Sequence, residues 1–161
     1  MTDQDYRAYI STLIPNFATE LEKTGDFTRE EALRETRQMV KELLTKGIET
    51  SNHFLFNVMA ESEIQPIGIL YIALQEEGTI KNAFIYDIEI KENYRGCGFG
   101  ALVMRRAEEF ARGYNAAEIW LHVFAANTIA IRLYQKLGYE VRKEFFGKNG
   151  ELMSCRMAKL L

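Results

Sequence analysis

Long apolar runs are missing from this sequence. No stretch approaches about 18 consecutive apolar residues, so no segment reads as a membrane span, and no membrane partner is expected. The N-terminus, Met-Thr-Asp-Gln-Asp, lacks the basic and apolar regions of a secretory leader, which points to a cytoplasmic protein. Cysteine is scarce. Cys97 and Cys155 are the only two, they fall in regions read as loop and strand, and they lack metal-ligand spacing. A disulfide scaffold and a zinc site are both disfavoured, and no metal is expected. Positive charge is not in excess either. A net charge of −3 argues against general nucleic-acid binding, while a cationic amine would meet no global repulsion. Internal repeats and low-complexity segments are absent.

What is present is a chain of 161 residues, 47% hydrophobic, long enough to bury its own core as one domain over 1–161. Its most informative stretch runs from Ile85 to Tyr114. Ile85, Ile88 and Ile90 suit a buried strand, and Gly96, Gly98 and Gly100 cluster in a turn. Leu102, Val103, Ala107, Phe110 and Ala111 then recur as one helical face. A helix N-terminus offers unpaired N–H groups and about half a positive charge, and glycine lets an anion approach the backbone closely. The pattern is a phosphate cradle with Arg95 as a flanking cation. It is not a Walker loop, since Ala101-Leu102 follows Gly100 where Lys-Ser/Thr is required. The Gly-x-Gly-x-Gly spacing also fits a dinucleotide fingerprint poorly.

Upstream, residues 4 to 23 carry a helical stripe of Tyr6, Ile10, Leu13, Ile14, Phe17 and Leu21, which Pro15 is expected to kink or split in two. Thr28 to Glu31 forms a capping box for a second helix that Gly47 closes. From His53 the period changes to two. Residues 54–58, 66–74 and 83–91 read as an antiparallel meander with a turn at Gln75 to Gly78. A helix over 99–113 leads to a strand over 118–124, parallel to the third. Asn127 caps a helix over 127–137, and Lys148-Asn149-Gly150 marks a closing hairpin.

The segment Arg95 to Gly100 resembles the acyl-CoA loop of the GNAT superfamily of N-acetyltransferases, written Arg/Gln-x-x-Gly-x-Gly/Ala. A second block, Asn127 to Tyr139, is similar to that family's Asn-x-x-Ala-x-x-Leu-Tyr-x-Lys-Leu-Gly-Phe/Tyr motif. The resemblance covers residues 53 to 161, whereas 3 to 50 match only in being helical. The family usually opens with a strand before its first helix, and here only Met1 and Thr2 precede Asp3, so the strand count is open by one.

The resemblance implies an α/β (α+β) GNAT fold: a mixed, mostly antiparallel sheet with helices on both faces. The helical segment 3–50 would wall the acceptor pocket, and the core 53–161 would bind the cofactor, acetyl-CoA. Backbone N–H groups from Arg95 through Gly96, Cys97, Gly98, Phe99 and Gly100 to Ala101 would hold the pyrophosphate. Main-chain groups of Ile88, Glu89 and Ile90 would pair with the pantetheine arm where strand 83–91 splays from 118–124. Asn127 is a helix cap, with or without a contact to the pantetheine. Tyr134 matches the family's general acid; its ordinary pKa near 10 against about 8.5 for a thiol lets it donate to the departing sulfur. An ordinary core aromatic is the plainer reading of that residue.

For the base, His122, Glu89 and Asp87 compete with solvent. Cys97 replaces a common Lys or Arg inside the loop, as a filler or as an oxidisable thiol. Trp120 and Phe124 share the His122 face. The implied activity is transfer of an acetyl group to a primary amine, on a small molecule or a peptide, directly in a ternary complex. A non-catalytic acyl-CoA sensor of the same fold is the alternative. A monomer and a homodimer both fit.

Overall fold

The computed structural model describes every residue but Ser62, and every side chain but those of Ser62 and Glu77. Helix α1 (Asp3–Lys23) is capped by Thr2, whose hydroxyl accepts the Asp5 N–H while the Asp5 carboxylate reaches back to the Thr2 N–H. The helix runs on through Pro15 as one element instead of dividing there. An interior proline costs about 3 kcal/mol. Tertiary docking offsets it: Tyr9 and Ala18 are buried, and Arg29 of the next helix donates to the Pro15 carbonyl at 3.4 Å and to Thr19 Oγ1 at 2.8 Å. Helix α2 (Arg29–Leu43) opens on the expected Thr28–Glu31 capping box. It ends at Leu43 and Leu44, before Gly47, which instead starts a short 3₁₀ turn.

The sheet has six strands in the order β1-β2-β3-β4-β6-β5. They are β1 (His53–Val58), β2 (Gly68–Glu77), β3 (Ile80–Ile90), β4 (Glu118–Phe124), β5 (Glu140–Phe146) and β6 (Leu152–Leu160). Among the described residues only β3 and β4 run parallel. Strands β2 and β3 are longer than the sequence suggests and absorb Gln75 to Glu77, which leaves Gly78 and Thr79 to turn. Helix α3 (Phe99–Gly113) joins β3 to β4, and α4 (Thr128–Lys136) joins β4 to β5.

Alternation along the strands sorts the core into two layers. Leu70, Ile72, Leu74, Ala83 and Ile85 face α3 and α4, where Val103, Met104, Ala107 and Tyr134 meet them. Leu55 and Tyr71 face the other way, against Tyr9, Val40 and Leu44 of the α1–α2 pair. Helices therefore cover both faces. Among the described residues no helix is long and apolar enough to cross a membrane.

Candidate active site

One slip in register creates the site. Tyr71 of β2 pairs with Asp87 but Ile72 pairs with Ile85, so Tyr86 is an extra residue and β3 bulges there. The bulge explains the apolar spacing: Ile85 and Ile88 lie three apart because one residue between them does not count towards the pleat. From that point β3 and β4 separate. Their parallel ladder runs only from Asn82↔Glu118 to Ile85↔Leu121, and beyond it His122 to Phe124 pair with β6 alone. On the other side Lys91 N–H donates to the Ile67 carbonyl at 2.9 Å. Ladder alternation therefore turns the main-chain groups of Ile88 and Ile90 into the gap, while the Glu89 carbonyl, expected from the sequence to face the gap too, points to β2 instead. The Ile90 carbonyl is already engaged, accepting Arg95 Nε–H at 2.7 Å. Gly68 permits this geometry, since a Cβ there would lie 2.2 Å from the Glu89 carbonyl oxygen.

At the end of β3 the chain turns into α3. Gly96 and Gly98 have φ of +76° and +85°, conformations that side chains disfavour, and a Cβ on either would meet no protein atom within 4 Å. The first intrahelical bond of α3 is Leu102 N–H to the Gly98 carbonyl, and no side chain caps the helix. The N–H groups from Gly96 to Ala101 thus have no acceptor among the described residues. Six consecutive free donors at a helix N-terminus, opening on empty space, fit an anion such as a pyrophosphate. Arg95 lies beside them, its Nε–H on the Ile90 carbonyl and with no carboxylate partner among the described residues. Cys97 is exposed in this turn, its Sγ 3.7 Å from the Arg95 carbonyl.

The gap opens into a cavity of about 710 Å³ that runs from Arg95 past β3, β4 and α4 to the β5–β6 hairpin, under α1 and α2. Tyr134, His122, Asp87, Glu89, Ile88, Asn127 and Arg95 all line it, whereas Ile90 and the turn from Gly96 to Ala101 are not among its lining residues. Tyr134 is 7% exposed; burial, with the nearby Asp87 carboxylate, pushes its phenol up to about 12. It is a proton donor across the neutral range. Asn127 Oδ1 accepts the Ala130 N–H at 3.2 Å, which establishes the cap. His122 sits edge-on to Phe124 and Phe145, and burial, then the Arg156 charge, hold it below its ordinary pKa. It is therefore neutral and a weak base. Trp120 donates to Glu118 Oε2 and does not line the cavity, whereas Phe124 does.

Asp87 is better placed than the sequence could show. Burial lifts its carboxyl to about 6, a hydrogen bond from Tyr9 Oη at 3.0 Å pulls it down, and the Glu89 charge pushes it up. Sequence reading missed Tyr9, although it stands three residues after Tyr6 and four before Leu13, on the same helical stripe. Arg156 and Phe145, also unsuspected, complete the far wall.

With the geometry in place, comparison with known proteins is decisive. The model of the acetyltransferase (GNAT) family matches residues 18–139. The chain belongs to the GNAT acetyltransferase family. Among its relatives is the N-acetyltransferase YdgE of Bacillus subtilis, 32% identical over 86% of this chain and 88% of that one. A crystal structure of the acetyltransferase YycN from the same organism superposes with a TM-score of 0.85 at 30% identity, covering 92% of this chain and 94% of that one. Arabidopsis thaliana NAA60, solved with acetyl-CoA, shares the fold at a TM-score of 0.60 and 14% identity, over 80% of this chain and 92% of that one. This GNAT chain has the family's mixed sheet, and its strand splay lies between β3 and β4.

Proposed function

We propose that the chain is one acetyl-CoA-dependent N-acetyltransferase domain over 1–161, with residues 3–50 on the acceptor side, acting on a primary amine of a small molecule or a peptide in the cytoplasm. The observation that carries this reading is the run of six acceptor-less amides from Gly96 to Ala101, leading through the β3–β4 gap to a buried phenol. Those amides, the α3 dipole and Arg95 would hold the pyrophosphate. The inward-turned Ile88 and Ile90 backbone and the free amide group of Asn127 would hold the pantetheine arm.

Bound acetyl-CoA supplies an acyl group activated as a thioester, so a C–N bond to the amine forms as the C–S bond breaks. The protein's part is proton management. Asp87 accepts the amine proton, directly or through one water: its pKa of about 6 leaves it ionised at neutral pH yet basic enough to take a proton. Glu89 lies on the same wall, and His122, with its lowered basicity, lines the acceptor side. Tyr134 gives its proton to the departing thiolate, which a phenol near 12 does not lose beforehand. The Ile90 N–H would stabilise the negative charge that develops on the acyl oxygen. Direct transfer is favoured over an acetyl-cysteine, because Cys97 belongs to the cradle and Cys155 is buried in the core.

Calorimetry with acetyl-CoA, alongside thiol release over a panel of amines, tests the reading. Binding with amine-dependent thiol release is expected. Binding without release from any amine would favour a non-catalytic acyl-CoA sensor, against which the placement of Tyr134 argues.

A further inference from the structure

Lys143 and Arg156 stand directly opposite each other on β5 and β6. Both cations rest against one ring: Lys143 Nζ lies 5.1 Å from the Phe145 centroid and the Arg156 guanidinium carbon 5.7 Å from it, with Phe84 a further 5.8 Å from Arg156. Like charges opposed across a ladder repel, and here aromatic faces hold them together. Arg142, one residue away, is neutralised by Glu118 at 3.7 Å and Glu140 at 3.8 Å. Neither Lys143 nor Arg156 has a carboxylate within 4.0 Å among the described residues.

This pair borders the candidate active site. Phe145 and Arg156 line the same cavity as Asp87, Glu89 and Tyr134, and Phe84 and Phe124 line it too. The cavity thus carries the Asp87 and Glu89 carboxylates on β3 and the Arg156 cation on the hairpin, with aromatic residues in its walls. A purely cationic amine would be repelled at the hairpin. An anion there would relieve the Lys143–Arg156 repulsion and could take paired hydrogen bonds from the guanidinium.

We propose that the acceptor is an amine whose own molecule also carries an anionic group, a carboxylate or a phosphate, and that Lys143 and Arg156 bind that group while the amine lies beside Asp87 and Tyr134. The proposal rests on the acetyltransferase reading above and specifies the acceptor class for its site.

The test is a thiol-release assay with L-amino acids beside their carboxamides, and O-phosphoethanolamine beside ethanolamine, for the wild type, Arg156→Gln and Lys143→Gln. We expect kcat/KM to favour the anionic member by about tenfold or more, the size of one charge-assisted contact. That preference should collapse towards one in either variant while the Kd for acetyl-CoA stays constant. Whether the amino acids or the phosphate compound show the larger ratio identifies the anion. Equal turnover of charged and neutral partners overturns the proposal and leaves the acetyltransferase reading standing. Failure to bind acetyl-CoA at all overturns that reading, and this one with it.

A binding arm needs no turnover. N-acetylglycine, N-acetylglycinamide and O-phosphoethanolamine are titrated into the CoA-saturated protein. An Arg156-dependent preference for either anion over the neutral amide supports the proposal, and its absence there and in turnover contradicts it.

Discussion

Replacing Tyr9 with phenylalanine removes one hydroxyl from a buried contact and little else. Tyr9 is 3% exposed, and its Oη donates to Asp87 Oδ2 at 3.0 Å. Besides burial, the groups acting on Asp87 are Tyr9 from α1, Glu89 on its own strand and the adjacent Ile88 N–H, while the Asp87 charge acts in turn on Tyr134 of α4. Burial raises the carboxyl from its ordinary 3.8 to about 6 in spite of the Tyr9 bond, which holds it down. A hydrogen bond to a charged group contributes about 1.5–3 kcal/mol, and about 1.4 kcal/mol corresponds to one pH unit, so losing it should lift Asp87 by about one to two units. In its proposed role as the base, Asp87 must be ionised. The acid limb of kcat, measured at saturating acetyl-CoA and acceptor, should therefore move from near pH 6 to about pH 7–8 in Tyr9→Phe, with the affinity for acetyl-CoA unchanged.

Linkage gives a second readout that needs no acceptor. The folded pKa is raised above the unfolded one, so the contribution of Asp87 to stability is complete below about pH 4 and is lost as pH rises through about 6. In Tyr9→Phe that loss should extend to higher pH, and in Asp87→Asn it should vanish. A Tyr9→Phe profile with an unmoved limb, and a Tm that is merely lower by the same amount at every pH, would refute the reasoning.

Tyr134→Phe should lower kcat by about 10²-fold or more while the Kd for acetyl-CoA holds, as calorimetry and steady-state kinetics would show. Gly98→Ala forces a side chain into a left-handed position at a cost of about 1–2 kcal/mol, so CoA affinity or Tm should fall accordingly, with no steric contact to blame. Gly68→Ala drives a methyl to 2.2 Å from the Glu89 carbonyl, and should displace the end of β3 and reduce both Tm and acetyl-CoA affinity. Met104→Ala, at a fully buried position under the sheet, should destabilise by about 2–5 kcal/mol on denaturant titration without altering the pH limbs.

The sequence was most legible where the determinants are local. The glycine stop and 3.6-residue period located α3 to the residue, and the Thr28–Glu31 and Asn127 caps are side chains acting on backbone within three positions. Non-local contacts overrode local rules at Pro15, where Arg29 and the docked apolar face accompany a helix that continues as one element instead of splitting in two. The bulge at Tyr86 left a trace, the three-residue step from Ile85 to Ile88, but that spacing alone does not say which residue is extra. The Tyr9–Asp87 bond spans 78 positions, and the Lys143–Arg156 pair depends on a register shift between Val141 and Lys143. Neither leaves a pattern in the linear order. Tyr9 also lies in the 3–50 segment, where the family resemblance was weakest, whereas Lys143 and Arg156 lie inside the stretch that the resemblance covers.

The cradle at the start of α3 is best tested by backbone amide NMR during a CoA titration. The account predicts that the largest shifts fall on Gly96 to Ala101, with a second group at Ile88 and Ile90. Saturable CoA binding that leaves the 96–101 amides unmoved would contradict it.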